Sequence, residues 1–334
     1  MPIVDSHAHI IVPEILREAA PAEAWRPRVY REDGQQFVEF GGRQIKSAIR
    51  EFVDIEAILA EQDAAGIQNI LLCPWVSLLR YDASTDEGLR VCRLYNDALA
   101  RLAADHPARV SALGMVPLQD PELAARELES VMNVPGLYGV EIAASVNGVY
   151  LGDDRFNPFW AAAESLGALL FIHPTTRGFD EPVFNDYYLW NTVGNPFETT
   201  ITAAHMIMSG VMERCPNLKL LLAHGGGAIM SLLGRLRHAH TFQPQARARL
   251  KESPADSLRR LYFDTVTHDA NLLRGLVEYV GADHVLLGSD YPFDMGVERP
   301  AEVVRSLNLA VEDEAKILGG NAGRLLEWEE TPNE

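Results

Sequence analysis

Two histidines one residue apart, His7 and His9, close an apolar run that begins at Ile3. In an extended strand residues i and i+2 point to the same face, so both imidazoles can converge on one ion. A strand also presents such a pair for packing or solvent contact, and the rest of the chain has to decide between these readings. Three more residues bear on it: His173 ends the run Ala168 to His173, His224 ends Leu218 to His224, and Asp290 ends His284 to Asp290. Imidazoles together with a carboxylate are the ligand types of zinc or a similar divalent cation, with room left for a water.

The elements that must position these residues alternate along the chain. Short apolar strands at 3–10, 70–73, 110–116, 139–142, 168–173, 218–224, 261–264 and 284–290 are separated by helical patterns, among them 54–65, 86–104, 155–166 and 196–213. Buried, nonalternating strands joined by helices predict a parallel sheet, and eight such units in this length predict a closed (β/α)8 TIM barrel of α/β class. All five candidates then fall at strand C-terminal ends, the face on which such a barrel carries its active site. Residues 11–50 break the rhythm. Alternating segments around Asp33-Gly34 predict a small β-hairpin insertion after strand 1, and residues 1–334 are otherwise read as a single barrel domain.

Composition narrows the partners. The 334 residues are 47% apolar and 23% charged, as in a globular protein, and 29 Lys and Arg against 47 Asp and Glu give a formal net charge of −18. With no basic block, neither nucleic acid nor an anionic membrane is an expected partner. Cys73, Cys92 and Cys215 form no CxxC pair and read as reduced thiols. No apolar stretch reaches the ~18 residues of a membrane span and no leader pattern is present, so a cytoplasmic enzyme is expected.

The motifs Asp5-Ser6-His7-Ala8-His9, Asp63-Ala64-Ala65-Gly66, Val116-Pro117-Leu118-Gln119-Asp120, His173-Pro174, His224-Gly225-Gly226-Gly227, Leu232-Leu233-Gly234-Arg235, Gly288-Ser289-Asp290-Tyr291-Pro292-Phe293 and Gly319-Gly320-Asn321-Ala322 run through nearly the whole chain. In these the chain resembles the amidohydrolase superfamily, in the branch typified by aminocarboxymuconate semialdehyde decarboxylase. The resemblance implies one Zn2+ bound by His7, His9, His173 and Asp290, with His224 beside it as the proton-transfer residue. It also implies that the insertion covers the barrel mouth and that two subunits pair near their sites as a homodimer. The chemistry is coherent on its own terms: such a metal lowers the pKa of a bound water to ~7, and an imidazole of unperturbed pKa ~6.5 can pass a proton to a substrate carbon. Gly225 to Gly227 serve either as a strand-to-helix turn or as a close approach to ligand.

A nonoxidative decarboxylase of this kind needs a small unsaturated or aromatic carboxylic acid, because the electron pair left by carbon dioxide must be delocalised. For the substrate carboxylate Arg50 is the leading partner by position, with Arg43, Lys46 and Arg177 in competition. The resembled enzyme also uses a partner-subunit arginine downstream of the glycine turn, and Arg235 to Gln243 carries none at that spacing. Trp190 and Phe293 are candidate walls of an aromatic pocket. Asp264 ends strand seven, either orienting a ligand or capping a loop, while His205, His238, His240, His268 and His284 are read as structural. No GxxxxGK[ST], dinucleotide GxGxxG or GxSxG pattern occurs, which argues against phosphoryl transfer, hydride transfer and serine hydrolysis. The alternative function is hydrolysis of a lactone or amide by the same metal-bound hydroxide, and a third reading is a metal-stabilised binding protein without turnover.

Overall fold

In the computed structural model the described residues are 2–16, 25–26, 28–33, 35–40, 43–47, 50–175 and 181–328, with side chains described at all of these except 35, 36, 38, 40, 43–47, 50 and 51. Eight parallel strands follow one another around a sheet in chain order: β1 (Val4–Ile10), β2 (Asn69–Pro74), β3 (Val110–Gly114), β4 (Leu137–Ala143), β5 (Leu169–His173), β6 (Lys219–Leu222), β7 (Tyr262–Asp264) and β8 (Val285–Leu286). The chain beyond β8 returns to β1 and closes the barrel. Ser6 N–H donates to the Leu287 carbonyl at 2.8 Å, Asp290 N–H to the His7 carbonyl at 2.8 Å, and His9 N–H to the Tyr291 carbonyl at 2.7 Å.

Two packed layers follow from strand periodicity. Leu71 and Cys73 of β2, Leu169 and Phe171 of β5, Leu221 of β6 and Leu286 fill the barrel interior, over Ala322, Leu325 and Leu326 of the last helical segment. Their odd-even neighbours Ile70, Leu72, Leu170, Ile172, Leu220 and Leu222 face outward into the larger layer beneath the helices. His173, two residues beyond Phe171, therefore points inward by simple alternation. β1 is different. Val4 packs inside while Ile10 packs outside, and the pairing of β1 with β2 slips between Asp5 and Ala8. The bulge changes the phase of the strand, which is what turns the odd-numbered His7 and His9 inward.

Helix boundaries follow local capping. Ser84 and Glu87 form a reciprocal capping box at the start of the Thr85–Asp105 helix, Asp120 caps Pro121–Met132, and Gly167 in the left-handed region ends Asn157–Leu166. The helical segments expected around 196–213 are Asn195–Met208 and Val211–Arg214, separated at Gly210. The insertion after β1 is larger than the expected hairpin. Arg28–Glu32, Gln35–Phe40 and Arg43–Ser47 form a three-stranded antiparallel sheet, the third strand pairing with the second. Among the described residues no helix is long and apolar enough to cross a membrane.

Candidate metal centre

The expected ligand set is brought together. One nitrogen each of His7, His9 and His173 and one carboxylate oxygen of Asp290 lie within 4.8 Å of one another, all four residues buried. His7 Nε2 is 3.0 Å from His9 Nε2, and Asp290 Oδ1 stands 3.1 Å from the first and 3.4 Å from the second. The opposite nitrogen of each ring is committed elsewhere: His7 Nδ1 to Asp264 Oδ2 at 2.6 Å, His9 Nδ1 to the Pro74 carbonyl at 2.9 Å, and His173 Nδ1 to the Pro174 carbonyl at 2.9 Å. Each acceptor holds the proton on Nδ1 and leaves the Nε2 lone pair facing the cluster, the tautomer that a metal ligand requires.

Two further observations fit a cation. His173 Nε2 and Asp290 Oδ1 are buried without a hydrogen-bond partner, an expensive arrangement unless both serve an ion. The electrostatics agree. Burial, reinforced by His9, His224 and His7, pushes the His173 imidazole well below its ordinary range. Burial works against ionising both His7 and Asp290, yet their attraction wins, holding the Asp290 carboxyl well below the usual range and raising His7 to about 10 with help from Asp264. A divalent ion held here would supply the positive charge that the His7 proton otherwise provides.

His224 and Asp290 do not sit on strands, as the sequence pattern suggests, but in the turns beyond them. β6 ends at Leu222 and β8 at Leu286, because past these points single bonds replace the ladder. His224 and Asp290 each adopt a left-handed backbone, φ 56° and 60°. His224 Nε2 is 3.3 Å from Asp290 Oδ2, while its buried Nδ1 has no protein partner. The glycines after it settle as a turn that also lines a cavity. A Cβ on Gly227 would lie 2.1 Å from the Pro196 carbonyl oxygen, so close packing demands glycine there, and Gly225 and Gly227 both face the cavity.

Asp264 combines the two roles open to it. Its Oδ2 accepts from His7 Nδ1 and from the His224 N–H at 2.9 Å, and its Oδ1 accepts from Gly225 N–H at 2.7 Å and Val266 N–H at 3.1 Å. One carboxylate thus orients the His7 ring, fixes the turn bearing His224 and starts the loop after β7. A second interior carboxylate, Glu141 on β4, is fully buried 3.9 Å from His9 Nδ1, and burial pushes its carboxyl well up. Its apolar neighbours along β4 gave no cue beyond a charged residue in an otherwise apolar strand.

The cavity beside His224 and Asp290 has a volume of about 550 Å³ and is walled by segments 191–196, 224–231, 266–276 and Met295. That is room for a single substituted ring. Phe293 packs edge-on to His9 at 5.2 Å within a cluster that includes Phe52 and Trp75. Trp190 packs on Tyr188 at 4.9 Å and is not part of the cavity wall, although Asn191 and Thr192 are. Arg43, Lys46 and Arg50 lie outside the described side chains, and Arg177 lies outside the described residues. Of the histidines read as structural, His205 stacks on Tyr150, His238 packs on Phe242, His240 meets the Leu250 carbonyl and His284 the Leu261 carbonyl. His268 differs, since it lines the cavity. Its place four residues beyond Asp264, past a strand C-terminus, was the available signal.

Comparison with known proteins places the chain in a family. The family model described as Amidohydrolase matches residues 4–328. The 2-amino-3-carboxymuconate-6-semialdehyde decarboxylase of Dictyostelium discoideum is 33% identical over 272 residues, covering 80% of this chain and 75% of that protein. The crystal structure of 5-carboxyvanillate decarboxylase from Sphingomonas paucimobilis superimposes with a TM-score of 0.83 at 26% identity, over 98% of this chain and 99% of that one. A dihydroxybenzoic acid decarboxylase from Polaromonas sp. JS666, solved with bound manganese and the inhibitor 2-nitroresorcinol, gives a TM-score of 0.80 at 22% identity over 98% and 97%.

Proposed function

The chain belongs to the amidohydrolase family, an enzyme family, and from that premise we propose that it is a metal-dependent nonoxidative decarboxylase of a small aromatic or unsaturated carboxylic acid. The observation that carries the reading is His224: an imidazole beside the four-residue ligand cluster, facing a ring-sized cavity, with one nitrogen uncommitted to the protein. His7, His9, His173 and Asp290 are the residues that would hold the ion, Zn2+ being the expected species and manganese in the Polaromonas relative the competing one. When bound, a divalent ion supplies positive charge and Lewis acidity for a substrate oxygen.

The chain's own residues supply the rest. His224 holds the proton that the substrate carbon receives as its bond to the carboxylate breaks; the bonding electrons remain on that carbon and carbon dioxide departs. Asp290 holds the His224 ring at Nε2, and Asp264 holds its backbone. Val266, Met230 and Leu276 give the cavity apolar walls beside the departing group. Homodimer formation belongs to the same reading, supported by the exposed Leu232 and Phe242 on the Ile229–Phe242 helix, and so does a cytoplasmic site of action, supported by three free cysteines.

The test is metal analysis of the purified protein with a screen of aromatic, unsaturated and lactone acids, following carbon dioxide and acid release separately. Carbon dioxide evolution that requires both metal and His224 is the expected result. Metal-dependent acid release without carbon dioxide makes the protein a lactone or amide hydrolase instead.

A further inference from the structure

Among the described residues, nine that are not glycine have positive φ, and three of them line the cavity: His224, Asp290 and His268 at φ 55°. The first two belong to the reaction centre. Left-handed backbone at such residues is sparsely populated and persists where the surroundings enforce it. Around His268 they do. Val266 N–H is held by Asp264, and Thr265 Oγ1 donates to the Gly288 carbonyl at 3.2 Å. Thr267 N–H donates to the Thr265 carbonyl at 2.9 Å and Thr267 Oγ1 to the Asp269 carbonyl at 3.1 Å. Asp269 then caps the Ala270–Val280 helix through Asn271 and Leu272 N–H at 2.8 and 3.0 Å. The loop is fixed on both sides of an exposed imidazole that faces the cavity.

The composition of the wall shows what that imidazole can do. Among the described lining residues there is no Lys or Arg, and the only titratable side chains are His224, Asp290 and His268. His224 and Asp290 are engaged with each other. His268 is thus the one titratable group of the wall outside that pair, set among the neutral Asn191, Thr192, Ser231 and Asn271. A donor on the departing carboxylate holds the ground state more strongly than the neutral carbon dioxide that forms, so binding energy placed there contributes affinity and does not speed the reaction. A donor on a group kept in the product carries no such bias. We propose that His268 is a specificity-determining residue that binds a second oxygen substituent of the substrate, a ring hydroxyl retained in the product. The inference rests on the reading of the protein as an aryl-acid decarboxylase, and it assigns one residue of the wall to a ring hydroxyl.

The test is calorimetric binding to the metal-loaded full chain of two kinds of inert probe: 2-nitrophenol, and the nitrobenzenediols that add one further hydroxyl to it, 2-nitroresorcinol among them. Wild type binds at least one diol about tenfold more tightly than 2-nitrophenol, the value of one good hydrogen bond. His268→Gly, which suits the left-handed backbone, abolishes that increment and leaves 2-nitrophenol affinity unchanged, while His268→Gln restores part of it. An increment that survives in His268→Gly, an equal loss for both kinds of probe, or no preference for any diol in wild type overturns the assignment alone. Failure of every probe to bind wild type removes the aryl-acid premise and the assignment with it, and the carbon dioxide assay decides the reaction independently.

Discussion

Replacing Asp264 by asparagine is close to isosteric, yet the geometry makes it severe. The carboxylate receives four N–H donors, two on each oxygen, and donates nothing. An asparagine side chain offers one oxygen, so its amide group confronts two of the four donors whichever way it turns. Turned toward His7, it donates to Nδ1 and drives the ring proton to Nε2, the nitrogen that faces His9 and Asp290. Turned the other way, it opposes Gly225 and Val266 N–H and loosens the two turns that present His224 and His268. Each lost contact to a charged acceptor is worth ~1.5–3 kcal/mol, and loss of such a supporting carboxylate weakens metal binding by ~10–100-fold. The assay is metal affinity by competition with a chromophoric chelator, alongside thermal unfolding of the metal-free protein to confirm that the barrel persists. Wild-type metal affinity in a folded Asp264→Asn protein would refute the argument that this carboxylate sets the His7 tautomer.

Three further outcomes are expected. His224→Asn keeps a residue that tolerates φ 56°, so metal content and thermal midpoint stay at wild-type values while turnover falls by ~10²–10⁴; steady-state rates with metal analysis check this. Tyr95→Phe removes the hydroxyl that donates to the Ile10 carbonyl at 2.6 Å and accepts from Val12 N–H at 3.3 Å beyond β1, and costs about 1–3 kcal/mol in denaturant unfolding. Cys73 and Cys92 are buried, and burial holds both thiols well above their ordinary range; a thiol reagent therefore titrates only the part-exposed Cys215 in the native protein and all three cysteines after unfolding.

The barrel is legible in the sequence because strand and helix periodicities are local properties, and His7, His9, His173, His224 and Asp290 are legible because polar side chains at the ends of apolar runs stand out. The third strand of the insertion is less so, its one cue being the Gly41-Gly42 pair that signals a second turn. His268 is not, because an isolated histidine in a loop has no partner in sequence. Trp190, a large aromatic near the site, packs on its own neighbour Tyr188 and is not among the residues that line this cavity.

By itself, then, the sequence determined which chemical groups the barrel rim could offer: imidazoles, one carboxylate, a glycine turn. Tertiary structure decided what those groups are. His7 owes its tautomer to a carboxylate 257 residues away and His9 owes its own to a carbonyl 65 residues away. The inward phase of both comes from a slip in pairing with β2, which exists only once the two strands meet. A side chain's identity is local, whereas its protonation, direction and partners are set by whichever distant groups pack beside it in a medium where an unpaired polar atom is costly.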